Sequence, residues 1–136
     1  MSHWVAEYIG LPWRAYASGP DAYDCHGLVW HCLSQHYGVD MSRYREVITN
    51  DYRAISQVVH TEQQTGCWQQ LDRPQDGAIV LIGSLRAWHH IGLWVEVNGG
   101  RCLHSHHGLG VGLDRLEQLT STTPRTEYWL HRSLLP

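Results

Sequence analysis

Cys25 stands in the run Asp24-Cys25-His26-Gly27-Leu28-Val29. A cysteine that opens a helix faces the positive end of the helix dipole and the unpaired N–H groups of the first turn. Both favour the thiolate, the nucleophilic form. A thiolate needs a base and cation beside it, and imidazole serves when a third polar group orients its ring. His90, in the run His90-Ile91-Gly92-Leu93, suits the base, and His104 and His106 are rivals for the third position. Such a set performs nucleophilic attack on a carbonyl, with histidine moving the proton.

Position separates Cys25 from the other cysteines. A lone cysteine is usually a small buried hydrophobe. Cys32 falls mid-helix, Cys67 precedes Trp68 in a loop, and Cys102 lies beside Leu103 in a strand. No CxxC pair occurs, so zinc-ribbon and thioredoxin signatures are missing. Cys25 and Cys32 would be separated by roughly 10 Å of helical rise, too far for a disulfide. All four thiols are expected free, as in a reducing compartment.

The elements that must position these residues follow from periodicity and turn chemistry. Asp24 suits a helix N-cap and Gly38 a C-cap, and Cys25, Leu28, Val29, Cys32 and Leu33 fall on one stripe between them. His3 to Gly10 reads as a short helix with Trp4, Val5, Tyr8 and Ile9 on one face, and Arg14 to Tyr23 as a loop. Asn50 to Gln64 reads as a second amphipathic segment. Ala78 to Ile82 is an apolar run of strand length behind a Pro- and Gly-containing turn. His90 to Val97 alternates, with Ile91, Leu93, Val95 and Val97 one way and His90, Gly92, Trp94 and Glu96 the other. Asn98-Gly99-Gly100 is a hairpin turn, Arg101 to His106 returns, and Glu127 to Arg132 reads as a last strand. Helices first and an antiparallel sheet second give an α+β fold, with the helices on one side of the sheet. The expected organisation is one domain over residues 1–136.

Hairpin register leaves the third residue open. A two-residue Asn98-Gly99 turn puts His104 on the face opposite His90. A three-residue loop, Val97-Asn98-Gly99, sets His104 across from Gly92, diagonal to His90, and His106 directly across from His90. Gly92 is expected to leave space for a helix terminus or a substrate.

Composition excludes several classes. All ten basic residues are arginine, and the absence of lysine removes Schiff-base, pyridoxal-phosphate and P-loop chemistry. A net charge of -3 offers no field for a nucleic-acid backbone. His104, His106 and His107, with His89-His90, invite a zinc site, but only Cys102 could add a thiol and no carboxylate falls into the set. No metal and no cofactor is expected. Gly108, Gly110 and Gly112 read as a flexible turn, since no helix pattern follows them. Asp72, Asp76, Asp114 and Glu117 read as solvated surface. The first residues lack the charged and apolar regions of a signal peptide, and no run of about 18 apolar residues suggests a membrane span.

The order DCHGLV, then HIG, then a histidine after a glycine-containing hairpin resembles the NlpC-type papain-like cysteine peptidases of bacterial cell walls. Ile9-Gly10-Leu11-Pro12-Trp13, Asp76-Gly77-Ala78-Ile79-Val80 and His104-Ser105 with Gly110-Val111 extend the resemblance over nearly the whole chain. It implies a papain-like fold with N-terminal helices on an antiparallel sheet. It implies Cys25, His90 and His104 as nucleophile, base and orienting residue, and a peptidoglycan stem peptide as substrate, cut between γ-D-glutamate and a diamino acid. Trp13, Asp24 and His26 become the substrate or oxyanion candidates. Trp13 and His26 depart from the tyrosine and serine usual at those places. The opening Tyr-Ile-Gly-Leu-Pro-Trp-Arg and closing Tyr-Trp-Leu-His-Arg are similar to members encoded with phage and prophage tail genes. That branch implies synthesis in the cytoplasm, association with phage tail proteins and delivery to the wall on the tail. A structural tail component and a thiol acyltransferase are the other functions this scaffold admits.

Overall fold

The computed structural model describes residues 3–40, 60–84, 88–121 and 125–136. Helix α1 runs Cys25–Tyr37. Asp24 caps it from an extended backbone, its Oδ1 accepting the Gly27 N–H at 2.6 Å. Gly38 closes it in the left-handed region that glycine tolerates, at φ +69°. Leu28, Val29, Cys32 and Leu33 are fully buried along one stripe, as the periodicity requires. The expected first helix is only a 3₁₀ turn, Trp4–Glu7, and Ile9 faces solvent. So short a segment cannot sustain an α-helix by itself. Tyr8 anchors it instead. Its hydroxyl lies 2.7 Å from His36 Nε2 and 3.1 Å from His31 Nε2, while Trp4 stacks on the His36 ring. Of the segment Asn50 to Gln64, residues 50–59 lie outside the described residues and 60–65 are helical.

Six strands form one sheet: β1 Trp68–Leu71, β2 Ile79–Gly83, β3 Trp88–Val95, β4 Arg101–His106, β5 Gly110–Asp114 and β6 Arg125–His131. Their order is β1-β6-β2-β3-β4-β5, and the neighbours run antiparallel. Strands β1 and β5 escape the sequence pattern. The first has four residues, and the second carries glycines where strand formers are expected. Gly110 and Gly112 therefore belong to a strand, with Gly108 in the turn before it. A short helix, Leu116–Thr120, does follow them. A side chain at Gly110 would strike the Leu11 carbonyl. Its absence lets residues 10–11 pair with Val111 through two 2.9 Å hydrogen bonds and cover the β5 edge.

The sheet has two buried faces. Ile79, Leu81, Ile91, Leu93, Val95, Leu103 and Val111 form the main core with α1. Val80, Ile82, Trp94 and Cys102 form a smaller cluster with Leu119. The helix Leu116–Thr120 thus covers the face away from α1, and helical cover is not confined to one side. The cause is the apolar second face of β2 to β4, which must also leave water.

Strands β3 and β4 pair at Leu93↔Leu103, Trp94↔Cys102 and Val95↔Arg101. This is the register of the three-residue loop, so His104 stands across from Gly92. The two strands then part. β3 continues along β2 to Trp88, and β4 continues along β5 to His106. The space beside Gly92 belongs to β4, not to a helix end or a substrate. A Cβ there would run into Cys102 Sγ and approach His104 Cβ to 3.3 Å.

Three ties hold the start of α1 against this fork. The buried Ser105 hydroxyl donates to the Tyr23 carbonyl at 2.7 Å. Asp24 N–H donates to the Ala17 carbonyl at 2.9 Å. Gly27 lets the 14–23 loop lie against the helix, since a Cβ there would collide with that Ala17 carbonyl. At the far end, Tyr37 donates to Asp76 Oδ1 at 2.7 Å, and the same oxygen accepts the Glu96 N–H at 3.1 Å. Asp76 is thus a structural acceptor, not only solvated surface. Gly27→Ala is expected to lower stability by about 1–3 kcal/mol through overpacking. Urea unfolding checks this, and an unchanged midpoint would show that the loop does not rest on Gly27.

Candidate active site

Cys25 is the first residue of α1 and half-buried. The N–H groups of Ile91, His26 and Cys25 itself point to its sulfur and favour the thiolate. Burial acts more strongly, and with the Asp24 carboxylate it pushes the thiol up to about 12. The helix terminus alone does not ionise this cysteine. The balance differs from the sequence expectation because the first turn is pressed under the loop and against β3, where the charged form loses water.

The Ile91 N–H places Cys25 one residue from His90, at the mouth of the β3–β4 fork. By strand alternation His90 and His104 belong to the face away from α1, with Cys102 and Trp94. Beyond Leu93↔Leu103 the β3–β4 ladder ends, so the two histidines stand beside the opening between these strands. His90 Nε2 and His104 Nδ1 lie 2.8 Å apart. His104 Nε2 lies 2.5 Å from Asp114 Oδ2. His104 is almost fully buried, and burial holds its pKa below the ordinary histidine value despite the nearby carboxylate. His106 is exposed, with Nδ1 2.9 Å from the His107 carbonyl and its ring centroid 5.8 Å from that of His90. Of the two rivals, His104 makes the hydrogen bond to His90.

The remaining candidates do other work. The Asp24 carboxylate is buried and committed to the N–H groups of Gly27, Tyr16 and His26. It holds the backbone at the start of α1. Burial raises its pKa, against the pull of those three donors. Trp13 pairs its backbone with Tyr23 and sets its indole edge-on to His107, centroids 4.4 Å apart. No hydrogen bond ties its indole to Cys25. His26 is 3% exposed, and neither ring nitrogen has a partner. Its side chain is therefore shut away from an entering substrate. Asp24 and His26, one residue either side of Cys25, thus have their side chains buried rather than beside an open surface.

Three participants were not legible as such. Ile91 contributes only its backbone. Ser105 is buried under Tyr23. Asp114 is not free surface: it lies on β5, diagonal to His104, with Gly112 directly opposite that histidine. A strand assignment for 110–114 would have put Asp114 on the His104 face. Among the described residues, no group of three His, Cys, Asp or Glu side chains is placed to hold a metal ion.

Burial pushes His26 down to about 4, so the ring is neutral in the fold at neutral pH. The unfolded chain binds a proton there near 6.5, and the fold resists it until about 4. His26 therefore adds no penalty above pH 6.5, and stability falls as pH drops from 6.5 towards 4, by about 3 kcal/mol at most. His26→Leu is expected to flatten this part of the profile. Urea midpoints at pH 7.5 and 4.5 test it, and equal acid losses in the two proteins would refute the assignment.

The NlpC/P60 family model matches residues 10–134. Among solved structures, the chain resembles the crystal structure of the NlpC/p60 domain of the peptidoglycan hydrolase SagA. The TM-score is 0.58 at 19% identity, covering 90% of this chain and 92% of that one. At that identity the likeness is one of fold: a helix against an antiparallel six-stranded sheet. No curated protein matches the chain. The family match spans most of the chain, including the Cys25 helix start and the His90 and His104 strands, and the chain belongs to the NlpC/P60 family.

Proposed function

We propose that this protein is a cysteine peptidase that hydrolyses an amide bond in peptidoglycan stem peptides. The observation that carries the reading is the 2.8 Å contact between His90 Nε2 and His104 Nδ1, set beside a cysteine at a helix start. With His90 Nε2 against His104, the reading assigns Nδ1 as the nitrogen that exchanges a proton with Cys25. The buried thiol keeps its proton until a base takes it, so the thiolate forms as an ion pair with the His90 imidazolium.

The thiolate attacks the amide carbon, and the oxyanion faces the Cys25 N–H at the helix start. The His90 imidazolium protonates the departing amine as the C–N bond breaks. Water then attacks the thioester while His90 takes its proton. The acid leaves, and the thiol is restored. His104 keeps the His90 ring in the plane that both proton transfers need.

Membership of the family and likeness to the fold of a peptidoglycan hydrolase domain support the substrate class. Within that class we assign the γ-D-glutamyl–diamino acid bond, and delivery to the wall on a phage tail, on the motif resemblance given above.

Defined muropeptides analysed by mass spectrometry test the reading. Cys25→Ala is expected to keep the fold and lose cleavage, and cleavage by that variant would overturn the mechanism. His90→Ala is expected to lose about 10²–10⁴-fold in kcat as the proton carrier. His104→Ala should lose less than His90→Ala, and a larger loss in His106→Ala than in His104→Ala would reverse the choice of third residue.

A further inference from the structure

We infer that Asp114 is a positioning residue: through His104 it fixes which nitrogen of each ring in the His90–His104 pair carries the proton. The inference rests on Cys25 and His90 acting as the nucleophile and base proposed above.

A neutral imidazole has one N–H donor and one bare nitrogen. Two neutral imidazoles in contact can therefore hydrogen-bond in either direction, and the two directions are not equivalent for catalysis. If His104 donates from Nδ1 to His90 Nε2, the proton of neutral His90 sits on Nδ1. That nitrogen then cannot take the thiol proton. If His90 donates from Nε2 to His104 Nδ1, His90 Nδ1 is bare and ready. A carboxylate only accepts, so Asp114 Oδ2 at 2.5 Å requires the proton of His104 on Nε2. His104 Nδ1 is then an acceptor, and its 2.8 Å contact with His90 Nε2 selects the productive direction.

The geometry is built for this contact. Gly112 stands directly opposite His104 with open space over it, and Asp114 reaches across the diagonal. Among the described residues, the titratable groups near the pair include His106, with ring centroids 5.8 Å from His90 and 6.2 Å from His104, and Cys102 opposite Asp114, while Cys25 with Asp24 behind it stands at the Ile91 N–H. A thiol or an imidazole can donate or accept, so neither fixes a direction for the pair. Asp114 does, and its charge also favours the imidazolium formed when Cys25 gives up its proton.

Two readouts test the inference without a peptide substrate. Nitrogen-15 NMR of the imidazole rings reports the tautomers of His90 and His104. Iodoacetamide alkylation of Cys25 across pH reports how readily the ion pair forms. The wild type is expected to carry both protons on Nε2. Asp114→Asn, whose amide can donate, is expected to shift both rings towards Nδ1–H. It should also slow alkylation at pH 6 about ten- to a hundredfold, the scale of lost outer-shell orientation. Asp114→Ser tests loss of the carboxylate by a second route, and Asp114→Glu should restore most of the rate. Side-chain exposure of 38% at Asp114 lets these variants fold, and urea midpoints verify it. Wild-type tautomers and an unchanged alkylation profile in Asp114→Asn and Asp114→Ser would overturn the inference. Asp114-dependent tautomers in a protein that cleaves no muropeptide would uphold it and reject the peptidase reading instead.

Discussion

The site depends on the parting of β3 and β4 beyond Leu93 and Leu103. In a continuous antiparallel sheet, His90 and His104 would face away from α1, with the backbone between them and Cys25. The ladder between these strands ends at Leu93↔Leu103, while each strand keeps its outer partner. The helix start fits at the opening, where the Ile91 N–H reaches the cysteine sulfur. The His90–His104 pair thus stands on β3 and β4 where the ladder ends, one residue along the chain from the Ile91 N–H that reaches Cys25. Gly92 sits at the root of the fork, because only a residue without a side chain lets Cys102 and His104 approach so closely.

Burial at that point sets the electrostatics. The helix N-terminus is often taken as sufficient to activate a cysteine, yet here loss of water and the Asp24 charge outweigh three aligned N–H groups. The carboxylate that caps the helix is the same one that discourages the thiolate. Under the proposed mechanism, ionising this sulfur calls for a partner that becomes positive as the sulfur becomes negative. In a water-poor setting that pair attracts more strongly than at a surface. The run from Cys25 to His90, His104 and Asp114 moves from α1 through β3 and β4 to β5, and ends at a partly exposed carboxylate.

Rigidity comes from backbone acceptors tied to buried side chains. Ser105 binds the Tyr23 carbonyl from the strand that carries His104, so that strand and the loop entering α1 share one hydrogen bond. Asp24 gathers the Tyr16, His26 and Gly27 amides around the start of α1. Tyr37 and Asp76 pin the other end of α1 to the turn entering β2. These ties join segments distant in sequence. The orphaned ring of His26 runs against this economy. A buried imidazole with two unmet nitrogens is costly, and no neighbour among the described residues explains it.

Much of the framework was legible locally. The cap at Asp24, the stop at Gly38, the stripe from Leu28 to Leu33 and the alternation from Ile91 to Val95 each arise from residues within a few positions of one another. Their order in the chain carries the family resemblance. The choice between His104 and His106 was not local. It turns on a three-residue loop and on where the ladder stops, and both depend on packing against β2, β5 and α1. Asp114 was hidden because glycines masked β5, whose strand conformation comes from pairing with β4 and with residues 10–11. Periodicity and capping are short-range effects that a sequence displays directly. Register, burial and the charge state of Cys25 depend on contacts between distant segments, and only the assembled structure decided them.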